Sequence, residues 1–212
     1  MNIALIGSTG QIGREITQQL LAHPHAVTAL LRPGRVLPGE LAAARPLAVN
    51  LQDEAELARA LTGHDVLVSA YAPPPDQADA LPLMTARLVR AARQAGVRRV
   101  MVVGGAGSLY LAPGQQLVDS PMFPAAYKAI ALAHREALSV LQAADDLDWT
   151  FFAPAALIEP GPRRGGYRVG RDRLIADADG QSRISYGDYA EAFAREVTQG
   201  EYLRAVVTAA YA

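Results

Sequence analysis

Asn2-Ile3-Ala4-Leu5-Ile6-Gly7-Ser8-Thr9-Gly10-Gln11-Ile12-Gly13 joins a short apolar run to a glycine turn of the form GxxGxxG. The run Asn2-Ile3-Ala4-Leu5-Ile6 reads as a strand buried on both faces, the habit of parallel sheets. Beyond the turn, Ile12, Ile16 and Leu20 recur at helical spacing. A tight turn between such a strand and such a helix leaves backbone N–H groups at a helix N terminus. Unpaired donors and the helix dipole together hold a phosphate there. Gly10 and Gly13 lack a Cβ, so a pyrophosphate and the helix itself can approach closely. The stretch points to a bound dinucleotide; the bland alternative is an ordinary strand–helix turn with accidental glycines.

The next apolar run, Ala26-Val27-Thr28-Ala29-Leu30-Leu31, follows one helix and ends in Arg32. An acid at that strand end would accept hydrogen bonds from the ribose 2′-hydroxyl of NAD and repel a 2′-phosphate. A guanidinium instead bonds that phosphate with charge assistance. Arg35 lies three residues on, and Gly34 between them lets the backbone pass close to the ribose. NADP(H) is therefore expected in preference to NAD(H); the alternative for Arg32 is a solvated surface arginine.

The remainder alternates strand and helix. Strands are expected at 46–49, 65–70, 99–103, 149–152 and 204–208, and helices at 53–61, 83–95 and 124–143. Asp53 stands at an N-cap position, and Gly63 and Gly96 stop their helices. The last helix should turn Tyr127, Ile130, Ala131, His134, Leu138 and Leu141 to one face. Crossover helices demand a parallel sheet covered on both faces. The expected fold is α/β: a doubly wound parallel sheet of Rossmann type, helices on both faces, with a small C-terminal substrate-side lobe. Residues 1–212 are expected to form a single domain, with 154–186 as a substrate-side excursion. Residues 104–123 are also irregular, and long irregular segments in a compact domain are more often functional than accidental. Arg163, Arg164, Arg168, Arg171 and Arg173 cluster in the excursion, either to attract an anionic substrate or as a solvated face or subunit contact.

With 50% apolar residues and a net charge of −1, the chain has material for a sizeable core and no electrostatic bias toward nucleic acid or membrane surfaces. There is no cysteine, so neither disulfides nor a thiol nucleophile are available. His23, His25, His64 and His134 do not cluster as metal ligands in sequence, and no metal is expected. With no apolar run long enough to span a bilayer and no signal-peptide pattern, a cytoplasmic location is expected.

Three further stretches carry a family resemblance. They are Gly96-Val97-Arg98-Arg99-Val100-Met101-Val102-Val103-Gly104-Gly105-Ala106-Gly107-Ser108-Leu109, then Asp148-Trp149-Thr150-Phe151-Phe152-Ala153-Pro154-Ala155, then Ser182-Arg183-Ile184-Ser185-Tyr186-Gly187-Asp188-Tyr189-Ala190. With the glycine turn, they resemble the atypical short-chain dehydrogenase/reductase family. Its NAD(P)-binding members include NADH-flavin reductase-like and NmrA-like proteins, related to biliverdin reductase B. The resemblance implies that Gly7, Ser8, Thr9, Gly10, Gln11, Ile12 and Gly13 line the pyrophosphate, and that Arg32 meets the adenosine ribose or its phosphate. It places Asn50 and Leu51 beside the adenine, Ala70 and Tyr71 against the cofactor, and Gly104 and Pro154 beside the nicotinamide.

The chain departs from that family where short-chain dehydrogenases keep a Tyr-x-x-x-Lys pair, whose lysine lowers the tyrosine pKa for proton exchange. No tyrosine here has a lysine four residues on. Tyr127 and Lys128 are adjacent, about 100° apart on a helix, and cannot act in that geometry. They remain catalytic candidates with Ser108, whose hydroxyl could bond a substrate carbonyl or merely its own loop. A histidine seen in biliverdin reductase B after the proline that follows the 149–152 strand is replaced here by Ala155-Ala156-Leu157. Reduction of FMN, riboflavin or a quinone escapes this shortage, because a planar acceptor needs hydride and takes its proton from solvent. The alternatives are a non-catalytic NADP(H) sensor of NmrA type and an epimerase/dehydratase-like enzyme.

Overall fold

The structure, a computed structural model, describes residues 1–212, the side chain of Pro75 excepted. The chain runs β1 (Asn2–Ile6), α1 (Gln11–Leu21), β2 (Ala26–Leu31), β3 (Arg45–Ala48), α2 (Glu54–Leu61), β4 (Val66–Ser69), α3 (Ala80–Ala95) and β5 (Arg99–Val103). It continues through β6 (Tyr110–Ala112), β7 (Gln115–Gln116), α4 (Ala125–Gln142), β8 (Asp148–Ala153), β9 (Leu157–Glu159), β10 (Tyr167–Arg171), β11 (Arg183–Ser185), α5 (Tyr186–Gln199) and β12 (Ala205–Tyr211).

One eight-stranded sheet has the order β10-β12-β8-β5-β4-β1-β2-β3. All neighbours in it pair parallel except β10, which runs antiparallel to β12. The α/β doubly wound fold expected from the sequence is the fold observed. Alternation along β1 decides the two faces. Ile3 and Leu5 join a core under α1 and α5, while Ala4 and Ile6 join the core under α2, α3 and α4. Ile16 and Leu20 of α1 are fully buried, each contributing roughly 1.5–3 kcal/mol of burial. Chain order reverses between β1 and β4, which opens a crevice beyond their carboxyl ends.

Some elements differ from the sequence expectation. Asp53 caps α2 by accepting from the Glu56 N–H at 2.9 Å, as its position suggested. Helix α3 begins at Ala80, a turn earlier than the expected 83. Helix α5 was not anticipated, although Tyr189, Phe193 and Val197 are buried at four-residue spacing and Ser185 caps it. Strand β10 lies inside the 154–186 excursion, a segment with no strand period in its sequence; its Arg168 and Arg171 sit on an exposed edge. Tyr127 is not on the buried face of α4 but 63% exposed, because α4 leaves its first turn outside the core.

Candidate functional site

The crevice between the ends of β1, β2 and β4 is a cleft of about 420 Å³. Gly7, Ser8, Thr9, Gly10, Arg32, Arg35, Leu51, Ala70 and Tyr71 line it, all singled out in the sequence. Ile6, Leu30, Leu31, Ala72, Pro73 and Pro74 line it as well and were missed. Ala72 to Pro74 follow Tyr71 directly, so the end of β4 was the signal available for them.

The glycines divide into two kinds. Gly7 has φ +89°, and a Cβ there would lie 2.3 Å from the Ala70 carbonyl oxygen. A Cβ on Gly13 would lie 2.0 Å from the Gly7 carbonyl oxygen. Both are demanded by the protein's own backbone. Gly10 is different: its φ of −77° and ψ of 165° suit any residue, and its Cβ would meet only the Gly7 oxygen at 3.4 Å. The folded chain does not require glycine at that position; the absent side chain leaves open space at the start of α1.

That start is electrostatically bare. Gly10 is the N-cap, no side chain caps the helix, and its first turn holds no acid. The Ser8 hydroxyl is fully buried and has no partner within the protein. An oxyanion would satisfy the free N–H groups, the dipole and this hydroxyl together. At the mouth, the Arg35 N–H bonds the Arg32 carbonyl at 3.0 Å, turning both exposed guanidinium groups to one end of the cleft. Neither is in an ion pair among the described residues, whereas Arg14 is paired with Glu40 at 3.1 Å. An apolar trough with backbone donors at its centre and two free cations at one end fits a pyrophosphate dinucleotide.

Other sequence candidates stand elsewhere. Gln11, Ile12 and Gly13 are in the first turn of α1 but do not line the cleft. The Gln11 amide oxygen accepts from the Tyr186 hydroxyl at 3.2 Å, a contact across 175 residues that sequence did not reveal. Asn50 does not line the cleft either. Its side-chain oxygen accepts from the Gln52 N–H at 3.0 Å, making it a turn residue. Gly104 follows β5 beneath Phe151, whose ring would lie 2.3 Å from a Cβ there. Packing accounts for that glycine. Pro154 follows β8 and accepts from Thr208 Oγ1 at 3.4 Å.

Ser108, Tyr127 and Lys128 are not brought together. Ser108 is 1% exposed and lines a separate cavity, because the chain after β5 folds back along the sheet face. Tyr127 is exposed, and Lys128 Nζ donates to the Val118 carbonyl with the Phe123 ring 5.8 Å away. Lys128 thus pins α4 to the 104–123 segment. His134, on α4, packs on Gly105 and stands edge-on to Phe151 with ring centroids 6.2 Å apart. Burial lowers its pKa to about 4, so the ring is neutral near pH 7.

No helix among the described residues is long and apolar enough to cross a membrane. YwnB of Bacillus subtilis is 35% identical over 206 residues, which are 95% of this chain and 94% of that one. A Burkholderia pseudomallei structure named as a candidate exported protein superposes with a TM-score of 0.92, 50% identity and full coverage of both chains. A Streptococcus pneumoniae structure named as a candidate NADH-flavin reductase does so with a TM-score of 0.90 and 28% identity, again over both whole chains. Residues 7–199, which run from the glycine turn to the end of α5, match the family described as NAD(P)H-binding, and the chain belongs to that family.

Proposed function

We propose that the protein is an NADP(H)-dependent oxidoreductase that reduces a flavin or quinone-like planar acceptor by hydride transfer. The observation that carries the cofactor choice is the unpaired Arg32 and Arg35 at the end of a cleft whose centre is the bare N terminus of α1. When bound, NADPH supplies the hydride. Gly7, Ser8, Thr9 and Gly10 hold the pyrophosphate through backbone donors and the Ser8 hydroxyl, and Arg32 and Arg35 hold the 2′-phosphate. Leu51, Ala70 and Tyr71 wall the trough. The cofactor's far end would lie toward Gly104 and Pro154, beyond β5 and β8.

The separation of Ser108, Tyr127 and Lys128 supports an acceptor that needs no proton from the protein. It equally favours a second reading, a dinucleotide sensor of NmrA type. It counts against an epimerase or alcohol dehydrogenase, both of which need a placed acid–base group. The likeness to the S. pneumoniae protein supports the reductase reading, and a cytoplasmic location belongs to it.

Loss of NADPH absorbance with FMN, riboflavin or a small quinone tests the proposal. Acceptor-dependent oxidation is expected, with none for simple alcohols or sugars. Tyr127→Phe is expected to change the rate by less than about threefold, since removing a general acid would cost 10²-fold or more. Cofactor binding without turnover on any acceptor would favour the sensor.

A further inference from the structure

The two irregular segments close on each other, not on the glycine turn. The Tyr110 N–H donates to the Asp172 carbonyl at 2.8 Å, and the Leu174 N–H donates to the Tyr110 carbonyl at 3.0 Å. Behind this seam lies a cavity of about 570 Å³, larger than the glycine-turn cleft and sharing no lining residue with it. It lies between α4 and the amino-terminal ends of β8 and β12, opposite the sheet edge that carries the cleft.

Three observations mark it as built for a ligand. First, Arg204 lines it with φ +49°, the one non-glycine residue with positive φ among the described residues. L-residues resist that conformation, and it persists where the surroundings impose it, often around ligands. Second, the charges do not cancel. Arg135 is matched by Asp119 at 2.9 Å, but Arg204 enters no ion pair among the described residues, and its one hydrogen bond there is from Nη1 to the Asp145 carbonyl at 3.1 Å. Arg171 points away from this charge: paired opposite Val207, it shares that residue's sheet face, and its guanidinium lies over the Tyr202 ring at 5.1 Å. Third, the Ser108 hydroxyl in its wall is sealed from solvent and has no hydrogen-bond partner.

We infer that this cavity is a second ligand site that takes a small organic carboxylate with a flat, apolar body. Arg204 supplies forked donors that match a carboxylate, and the Ser108 hydroxyl adds one from the wall. Trp149, 5% exposed, and Leu138 offer the apolar wall for the body. A ligand held there bridges α4, the 104–123 segment and the end of β10, and so braces the two longest irregular stretches of the chain. The inference stands independently of the cofactor reading.

Calorimetric titration of the full chain with benzoate, and separately with inorganic phosphate, tests it. The variants are Arg204→Gly, Ser108→Ala and, as a control in the other cleft, Arg32→Ala. Glycine adopts a positive φ freely, so Arg204→Gly removes the guanidinium without harming the backbone, and an unchanged or raised Tm reports an intact fold. Benzoate is expected to bind saturably and more tightly than phosphate. It should weaken about tenfold or more in each cavity variant and stay unchanged in Arg32→Ala. Absent saturable benzoate binding overturns the inference. So does binding that ignores both cavity variants, binding lost in Arg32→Ala, or tighter binding of phosphate at the same residues.

Discussion

Helices α1 and α5 pack against each other on one face of the sheet, and their N termini are finished in opposite ways. The start of α1 has a glycine N-cap, no capping side chain and no acid. The start of α5 is filled by the chain itself. Ser185 caps it, and the buried Asp188 carboxylate accepts from the Arg164 N–H at 2.9 Å, the Gly165 N–H at 2.9 Å and the Tyr211 hydroxyl at 2.6 Å. Gly187 lets the 161–163 backbone lie directly on that terminus, since a Cβ there would meet Arg163 N at 2.7 Å. The dipole and the free donors are alike at both ends. A helix terminus signals an external anion only where the chain withholds an internal one.

The comparison breaks most visibly at Asp188. Asp188→Ala strands two hydroxyls and two N–H groups and is expected to cost roughly 4 kcal/mol, about 10 °C in Tm. NADPH affinity should stay within about threefold. A large loss of affinity at unchanged Tm would show that the filled terminus serves the ligand too. Burial raises the Asp188 pKa, but the hydrogen bonds from Tyr211, Gly165, Arg164 and Ser185 outweigh it, and the net shift is downward. Its stabilising effect is therefore present above the unfolded carboxylate pKa and is lost as pH falls through the lower folded value.

His134 gives a second pH dependence with its own window. Its folded pKa of about 4 lies below the model-peptide value of 6.5. Between those values the unfolded chain binds a proton that the folded chain refuses, so stability falls as pH drops from 6.5 toward 4. The loss is expected to approach about 3 kcal/mol, and His134→Leu should flatten it in denaturant titrations across that range. An unaltered pH profile in the variant would assign the acid sensitivity elsewhere.

Arg32→Ala sharpens the comparison at the open end. NADPH affinity is expected to drop by on the order of 1.5–3 kcal/mol while NADH affinity barely moves. Equal dissociation constants for the two cofactors in the wild type would remove the reading of Arg32.

Much of the open end was legible because it is local. The bounds of β1 and β2 match the apolar runs residue for residue, and the glycine turn lies within thirteen residues of the start. Nine of the expected cofactor residues line one cleft because they follow directly on β1, β2 and β4, or stand in the turn after β3. The filled end was not legible in the same way. Its hydrogen bonds join residues 23 or 24 apart, and β10 is a strand only because β12 pairs with it. Its exposed, arginine-bearing sequence has no period of its own. Ser108 misled for a related reason. Proximity to β5 in sequence suggested the carboxyl edge, but the pairing of Tyr110 with residues 172–174 draws the segment back along the sheet. Among the glycines, sequence could not say that Gly7 and Gly13 answer to the backbone and Gly10 to open space.

Gly10→Val tests that distinction most directly. Its Cβ violates nothing in the folded chain, yet it projects where the account places the pyrophosphate. Calorimetric titration with NADPH, run beside thermal unfolding, is expected to show clear binding by the wild type. In the variant, affinity should fall by about a hundredfold or more, with Tm within a few degrees of the wild type. Unchanged affinity in a folded Gly10→Val protein would contradict the account and move the phosphate site away from the glycine turn.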